Sequence, residues 1–472
     1  MKITRRSWAL SALSSIAASW TNRPSIVVIM TDQQSAGALS CTGNRWLRTP
    51  NIDSLARGGT RFANTWCSSP VCSPARASLI SGLLPHATGV EYNGGFRQTI
   101  PTLGELFREA GYETAWVGKW HLPDGLPYVR VIGRDRSGPE QGRGFSFLPY
   151  DVANTPGWGM GDFIDRPISE CAAAFLHRKH DQPFLLGVSL VNPHDICYWI
   201  WDKLPPRHPG AVEKPPAESE LPPLPANFAV AADEPEFITR CRNRPHYGEQ
   251  MTSTKSWDEA QWRRYLWAYY RMTERVDRAV GTVLDALRSS GLEDNTVVVF
   301  TSDHGEGMAA HRWVVKLMLW QEVVGVPLIF QWKGRIAAGR KDRQALASTL
   351  DITPTLCDLA GIRMPKPVHG SSLWPVLRDG GGMDRDSVFA HLAPDSHDRS
   401  LQARAVRSAR YKYVSFSSGR NPEMLFDLDN DPGETRNLAS APEQRAELNR
   451  HRALLDEWVR KTGDPYRRGT QP

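Results

Sequence analysis

Three long apolar runs constrain this chain more than any other feature. They are Ser25-Ile-Val-Val-Ile-Met30, Phe184-Leu-Leu-Gly-Val-Ser-Leu-Val191 and Thr296-Val-Val-Val-Phe-Thr301. A strand with one wet face alternates apolar and polar residues. These runs do not, so each predicts a strand covered on both faces, as in a parallel sheet between helix layers. A shorter run, Tyr112-Glu-Thr-Ala-Trp-Val117, reads as a further strand. Helical patterns are predicted between the runs, from residue 49 through Arg57, at 101–111 with Gly111 as the stop, and at 256–290. In the last, Ser256 and Glu259 are the expected capping box, and Tyr265, Tyr269, Met272, Val276, Val280, Leu284 and Leu287 mark the buried face.

The texture changes after about residue 380. Short strands are expected at 387–391, 403–406, 411–416 and 424–428, followed by a helix at 442–461. The reading is an α/β protein with a large mixed, mostly parallel sheet sandwiched by helices over 21–380, and a smaller α+β unit on an antiparallel sheet over 381–472. A proline-rich stretch, 204–228, is predicted to be an irregular loop.

Residues 1–20 look like an export signal: Lys2, Arg5 and Arg6 precede a weakly apolar segment from Trp8 to Ala18, with small residues at Ala17 and Ser19. The Arg5-Arg6 pair resembles a twin-arginine signal, so an exported, periplasmic protein is expected. No stretch is long and apolar enough for stable membrane insertion. The net charge of +6, from 57 basic and 51 acidic residues, is dispersed and forms no basic run suited to nucleic acid. Seven cysteines are an odd number, so at least one stands outside any disulfide.

That cysteine is expected to be Cys72, in Val71-Cys-Ser-Pro-Ala-Arg-Ala-Ser-Leu-Ile-Ser-Gly82, where a loop runs into a helix. A thiol at a helix N-terminus near a guanidinium favours anionic chemistry. The predicted strands end in residues of one chemical kind: Asp32 and Gln33, then Lys119 and His121, then His194, then Asp303 and His304, with His311 and Lys316 shortly after. Open α/β sheets gather ligands at the carboxyl ends of their strands. The carboxylates of Asp32 and Asp303, with an amide or imidazole, suit a hard divalent cation, and the lysines and histidines suit an anionic tetrahedral ester.

These blocks resemble those of type I sulfatases, in the alkaline-phosphatase-like superfamily. Cys72-Ser-Pro-Ala-Arg76 with Ser81-Gly82 is similar to the sulfatase signature; Ile29-Met-Thr-Asp-Gln33, Gly118-Lys-Trp-His-Leu122, Asn192-Pro-His194 and Thr301-Ser-Asp-His-Gly305 resemble the family's other blocks. So does the C-terminal run Leu425-Phe-Asp-Leu-Asp-Asn-Asp-Pro-Gly-Glu434. The resemblance implies an alkaline-phosphatase-like fold and a sulfuric ester hydrolase. It implies that a maturation enzyme, reading Pro74 and Arg76, oxidises Cys72 to formylglycine, whose hydrate is the nucleophile held by Arg76. Asp32, Gln33, Asp303 and His304 would hold the cation, usually Ca2+. Lys119, His194 and Lys316 would contact the sulfate, and His121 would act on the second hydroxyl of the hydrate. Gln33 stands where many members have a second aspartate, and His304 where some have asparagine.

Asp195, Tyr198, Trp199 and His311 are candidate substrate contacts, and Trp158, Trp199 and Trp201 are aromatic faces suited to a sugar ring. Export and the resemblance favour a sulfated carbohydrate, such as a glycosaminoglycan or algal polysaccharide fragment. Two alternatives stay open at this point: a phosphonate monoester or phosphodiester hydrolase using the same nucleophile, and a non-catalytic binder of sulfated glycans.

Overall fold

Strand β1 (Ser25–Asp32) lies between two parallel neighbours, β6 (Phe184–Pro193) and β7 (Thr296–Ser302). These are the three long apolar runs. The computed structural model describes residues 23–92, 99–122, 141–148, 162–200, 214–243, 248–395 and 398–469. The side chains of β1 alternate between two cores. Val27 and Ile29 pack with Val276, Val280, Val283 and Leu287 of a long helix, Glu259–Ser289. Ile26, Val28 and Met30 pack on the opposite side with Ala77, Leu79 and Ile80 of the helix Cys72–Ser81. Each such buried aliphatic side chain contributes about 1.5–3 kcal/mol relative to exposure. The run therefore needs no polar alternation.

The large sheet has nine strands in the order β4-β5-β3-β6-β1-β7-β8-β2-β9. The additional members are β2 (Thr60–Trp66), β3 (Glu113–Gly118), β4 (Gln141–Gly142), β5 (Phe145–Phe147), β8 (Leu328–Gln331) and β9 (Arg340–Ser348). β8 runs antiparallel to both β7 and β2, which leaves β2 pointing the same way as β1. β1, β2, β3, β6 and β7 thus all deliver their carboxyl ends to one edge of the sheet.

A second sheet, β10 (Val388–Leu392), β11 (Ala403–Arg407), β12 (Tyr411–Phe416) and β13 (Glu423–Asp427), is antiparallel in sequential order. One face, with Val406, Tyr413 and Leu425, packs under the C-terminal helix Arg445–Thr462 through Leu448 and Leu455. The other face, with Ala405, Val414 and Met424, joins a core shared with Trp66, Tyr265 and Tyr269. The small sheet is therefore fused to the large unit through a common core.

The long helix starts later than the expected Ser256. Thr254–Ser256 is a single 3-10 turn, Trp257 is extended, and Asp258 with Gln261 forms the capping box. The aspartate accepts from the Gln261 amide and the glutamine side chain returns to the Asp258 N–H, a pairing that the nearby Ser256–Glu259 spacing mimics. Of the proline-rich stretch, residues 214–228 are irregular apart from the turn Glu218–Glu220. The rest of that stretch, the expected signal, Trp158 and Trp201 lie outside the described residues. All seven cysteines are free. No described helix is long and apolar enough to cross a membrane.

Candidate active site

Cys72 is the first residue of its helix, after Val71 in an extended conformation, and its side chain is fully buried. β2 delivers it, through the segment 67–71, to the edge where β1, β3, β6 and β7 end. Gly118 closes β3 with a φ of 91°, which turns the chain so that Lys119 follows in the same place. Gln33 and His121 also have positive φ, 68° and 53°, in the turns that leave the sheet. After β7, the loop from Gly305 brings Lys316 back over the same edge, with Val315 and Leu317 in the left-handed region.

The Cys72 sulfur is the focus of the group. Lys316 Nζ lies 2.9 Å away, His304 Nε2 3.3 Å, Asp32 Oδ1 3.8 Å and Lys119 Nζ 3.9 Å. Burial and the Asp32 charge oppose a thiolate, but Lys119, Lys316 and His304 outweigh them, and the thiol is held well below its usual range. Arg76, one turn along the helix, is 1 % exposed and spends its fork on both carboxylates. Its Nε donates to Asp303 Oδ2 at 2.8 Å and its Nη2 to Asp32 Oδ2 at 2.9 Å, while Nη1 donates to the Lys119 carbonyl and Ser189 Oγ, both at 2.9 Å. Lys119 Nζ makes a 2.5 Å ion pair with Asp32.

The two carboxylates therefore differ. Burial pushes Asp32 up, but Lys119, His194, Arg76 and Lys316 together hold it well below the usual range. Asp303 is pushed up to about 6 by burial and by the charge of Asp32. Asp32, Cys72, Asp303 and His304 are all buried, and each places a ligating atom within 4.8 Å of the others. Two buried carboxylates, one of them short of positive charge even with Arg76 between them, together with an imidazole, are a donor set that fits a divalent cation. His194 is 18 % exposed at its side chain, and burial with Lys119 and Lys316 holds its imidazole well below the usual range. Burial and Lys119 also lower His121. Both rings are neutral in the free site.

The structure thus brings Asp32, Cys72, Arg76, Lys119, His121, His194, Asp303, His304 and Lys316 together. The Gln33 main-chain N–H donates to Asp303 Oδ1 at 3.1 Å, but its side-chain amide is spent elsewhere. That amide donates to Glu306 Oε2 at 2.5 Å and to the Cys197 sulfur at 3.2 Å. Asp195 is buried beside His194, with 3.9 Å between His194 Nδ1 and its carboxylate. Trp199 packs edge-on to Trp257 with 6.0 Å between rings. His311 sits in a different cluster: its ring stacks on Trp320 at 3.9 Å, with Glu322 and Glu434 nearby.

Two participants escaped the sequence reading. Ser189 supports Arg76 from inside an apolar strand, where a lone serine gives no signal. Glu306 is buried and accepts from the Tyr265 hydroxyl, the Gln33 amide and the Val315 N–H, so it ties the β1 turn to the loop carrying Lys316. Its place directly after Asp303-His-Gly305 was the available signal.

A family model described as Sulfatase matches residues 24–362, which includes every residue of this group. The chain belongs to the sulfatase family. A second model, described as N-sulphoglucosamine sulphohydrolase, C-terminal, matches residues 309–460 of this sulfatase. It is 34 % identical to a Delta 4,5-hexuronate-2-O-sulfatase of Bacteroides thetaiotaomicron, covering 97 % of this chain and 93 % of that one. It is 31 % identical to an ulvan-active sulfatase of Formosa agariphila, over 94 % of this chain and 83 % of the relative. Among solved structures, a 2-O GAG sulfatase superposes with a TM-score of 0.81 at 32 % identity, covering 94 % and 93 % of the two chains. The chain is a sulfuric ester hydrolase.

Proposed function

We propose that this sulfatase removes an O-sulfate group from a sulfated carbohydrate, after Cys72 has been converted to formylglycine by a maturation enzyme, with Ca2+ held by Asp32, Asp303 and His304. The observation that carries the reading is the convergence of Lys316, Lys119 and His304 on the Cys72 sulfur, above two carboxylates tied by one guanidinium. When bound, the cation polarises a sulfate oxygen and the formylglycine hydrate supplies the attacking hydroxyl.

This chain's residues do the rest. Lys119 and Lys316 sit against the carboxylate of Asp32, whose charge offsets their burial, and their ammonium groups hold the anionic ester. His121, lowered by burial and Lys119, would take the proton from the second hydroxyl of a hydrate at position 72, the chemistry that would allow sulfate to leave by C–O rather than S–O cleavage. Burial first and then Lys119 and Lys316 lower His194; the charge of a bound sulfate ester would oppose the two lysines and favour a protonated ring, which would donate to the departing alcohol oxygen. Arg76 fixes the spacing of the two carboxylates beneath.

A 2-O-sulfated hexuronate is the first substrate to try, given the 34 % relative. The experiment compares matured enzyme on aryl sulfate, aryl phosphate and a phosphonate monoester, then on defined sulfated uronate and hexosamine disaccharides. Sulfate turnover should exceed both phosphorus esters; faster phosphorus chemistry, or activity on none of the sulfated sugars, overturns the reading. Mass spectrometry of the tryptic peptide 62–76 should show loss of sulfur at Cys72. We further propose that residues 1–20 export the protein to the periplasm, which fractionation checks.

A further inference from the structure

Three clusters among the described residues combine histidine, cysteine or carboxylate side chains at metal-ligand spacing. One is the active site. The second is His311, Glu322 and Glu434, where the buried Lys412 ammonium already pairs with Glu434. The third, His86, His391 and Asp464, belongs to neither.

His86 stands in the short helix Pro85–Thr88, His391 on β10, and Asp464 just beyond the C-terminal helix. They are 8 %, 3 % and 6 % exposed. His86 Nε2 lies 2.9 Å from the Thr462 carbonyl, which can only accept, so Nε2 donates there and Nδ1 is the nitrogen turned to the cluster. That Nδ1 faces Asp464 Oδ2 at 3.8 Å, and His391 Nε2 faces the same oxygen at 3.5 Å. Neither ring nitrogen has a hydrogen-bond partner. Burial and Arg404 hold His391 well below its usual range.

The carboxylate has room for one more partner. Arg404 donates to Oδ2 through Nε at 2.7 Å and to Oδ1 through Nη2 at 2.9 Å, and the Tyr466 N–H takes the second lone pair of Oδ1 at 3.0 Å. One lone pair of Oδ2 is left, and it meets two imidazole nitrogens. Two buried ring nitrogens without hydrogen-bond partners face that oxygen from 3.5 and 3.8 Å, and a cation set between them would take an electron pair from each. The surroundings also match what a metal ligand needs: His86 is oriented by a backbone carbonyl and Asp464 by a guanidinium.

We propose that His86, His391 and Asp464 form a second cation site, for a late first-row divalent metal, with Zn2+ as the occupant. Two imidazoles and one carboxylate suit Zn2+ far better than Ca2+, which takes six or more oxygens. His369, the next ring at 6.1 Å from His86, is not a ligand through Nδ1, which accepts the Leu84 N–H. The site joins three segments remote in sequence: the turn after the Cys72 helix, the edge of the small sheet, and the chain end. Bound metal would clamp the C-terminal unit to the catalytic one.

The test strips the full-length protein with chelator and reloads it with Zn2+ or Co2+ alone. Wild type and the active-site variant Asp303→Asn should retain a Zn2+ that both His391→Ala and Asp464→Asn lose, and Zn2+ should raise the wild-type Tm without raising that of His391→Ala. Unchanged Zn2+ content in His391→Ala overturns the proposal, as does loss of all Zn2+ in Asp303→Asn. Should the variants fail to fold, anomalous scattering from Zn2+-loaded wild-type crystals decides: a peak among the three side chains supports the site, and a peak only at Cys72 overturns it.

Discussion

At the residue scale, Arg76 is the side chain on which the site depends. Its guanidinium pairs with both Asp32 and Asp303, and removing it leaves two buried carboxylates facing each other. Arg76→Ala should cost about 3–5 kcal/mol of stability, read from the denaturation midpoint, as well as abolishing turnover. Arg76→Lys should recover little, since a single ammonium cannot span both partners in the same geometry. Cys72→Ala should lose turnover while keeping native circular dichroism and Tm; unfolding of that variant would show the cysteine to be structural. Most of this group was legible in the sequence because Asp32, His194, Asp303 and His304 follow long apolar runs and Cys72, Arg76, Lys119 and His121 lie in recognisable blocks. Gln33 shows the limit of such reading. Its position after β1 was clear, but its amide is claimed by Glu306, a contact across 273 residues that no local pattern announces.

At the scale of elements, the strand ends do the positioning, and Gly118 is the tightest of them. A Cβ there would lie 2.0 Å from the Ser189 carbonyl oxygen, at a φ of 91° that side chains resist. Gly118→Ala should destabilise the protein by about 1–3 kcal/mol and reduce kcat, because Lys119 must move with the backbone. Thermal melts and steady-state kinetics check both effects. The central strands could be read because burial on both faces leaves an apolar run. β2 and β9 could not: β2 carries Arg61, Asn64 and Thr65 among its apolar residues, and β9 begins with Arg340-Lys-Asp-Arg-Gln344, with Lys341, Arg343 and Gln344 exposed. Their strand character comes from pairing with sequence-distant neighbours rather than from pattern.

At the scale of the whole molecule, the C-terminal unit and the catalytic unit share a core, and a titrating group lies in the polar cluster between them. Burial and the charge of Glu434 push Glu322 up to about 7. The folded state therefore keeps a proton between pH 4.5 and 7 that the unfolded chain releases. The associated stability is complete below the lower value and is lost as pH rises through the upper one, by about 3 kcal/mol in all. Glu322→Gln should flatten this dependence, so that Tm falls less between pH 5 and pH 8 than in wild type; parallel curves for the two proteins would refute it. The sequence foretold two units but not their fusion, which depends on which face of each short strand turns inward. Burial of the signature has a consequence in time. Cys72, Pro74 and Arg76 are enclosed once the nine-stranded sheet has assembled, so a processing enzyme that must read them competes with folding itself. Under the proposed maturation, the yield of active protein would be set during synthesis by a race between two rates, and slowing collapse of the chain should raise it.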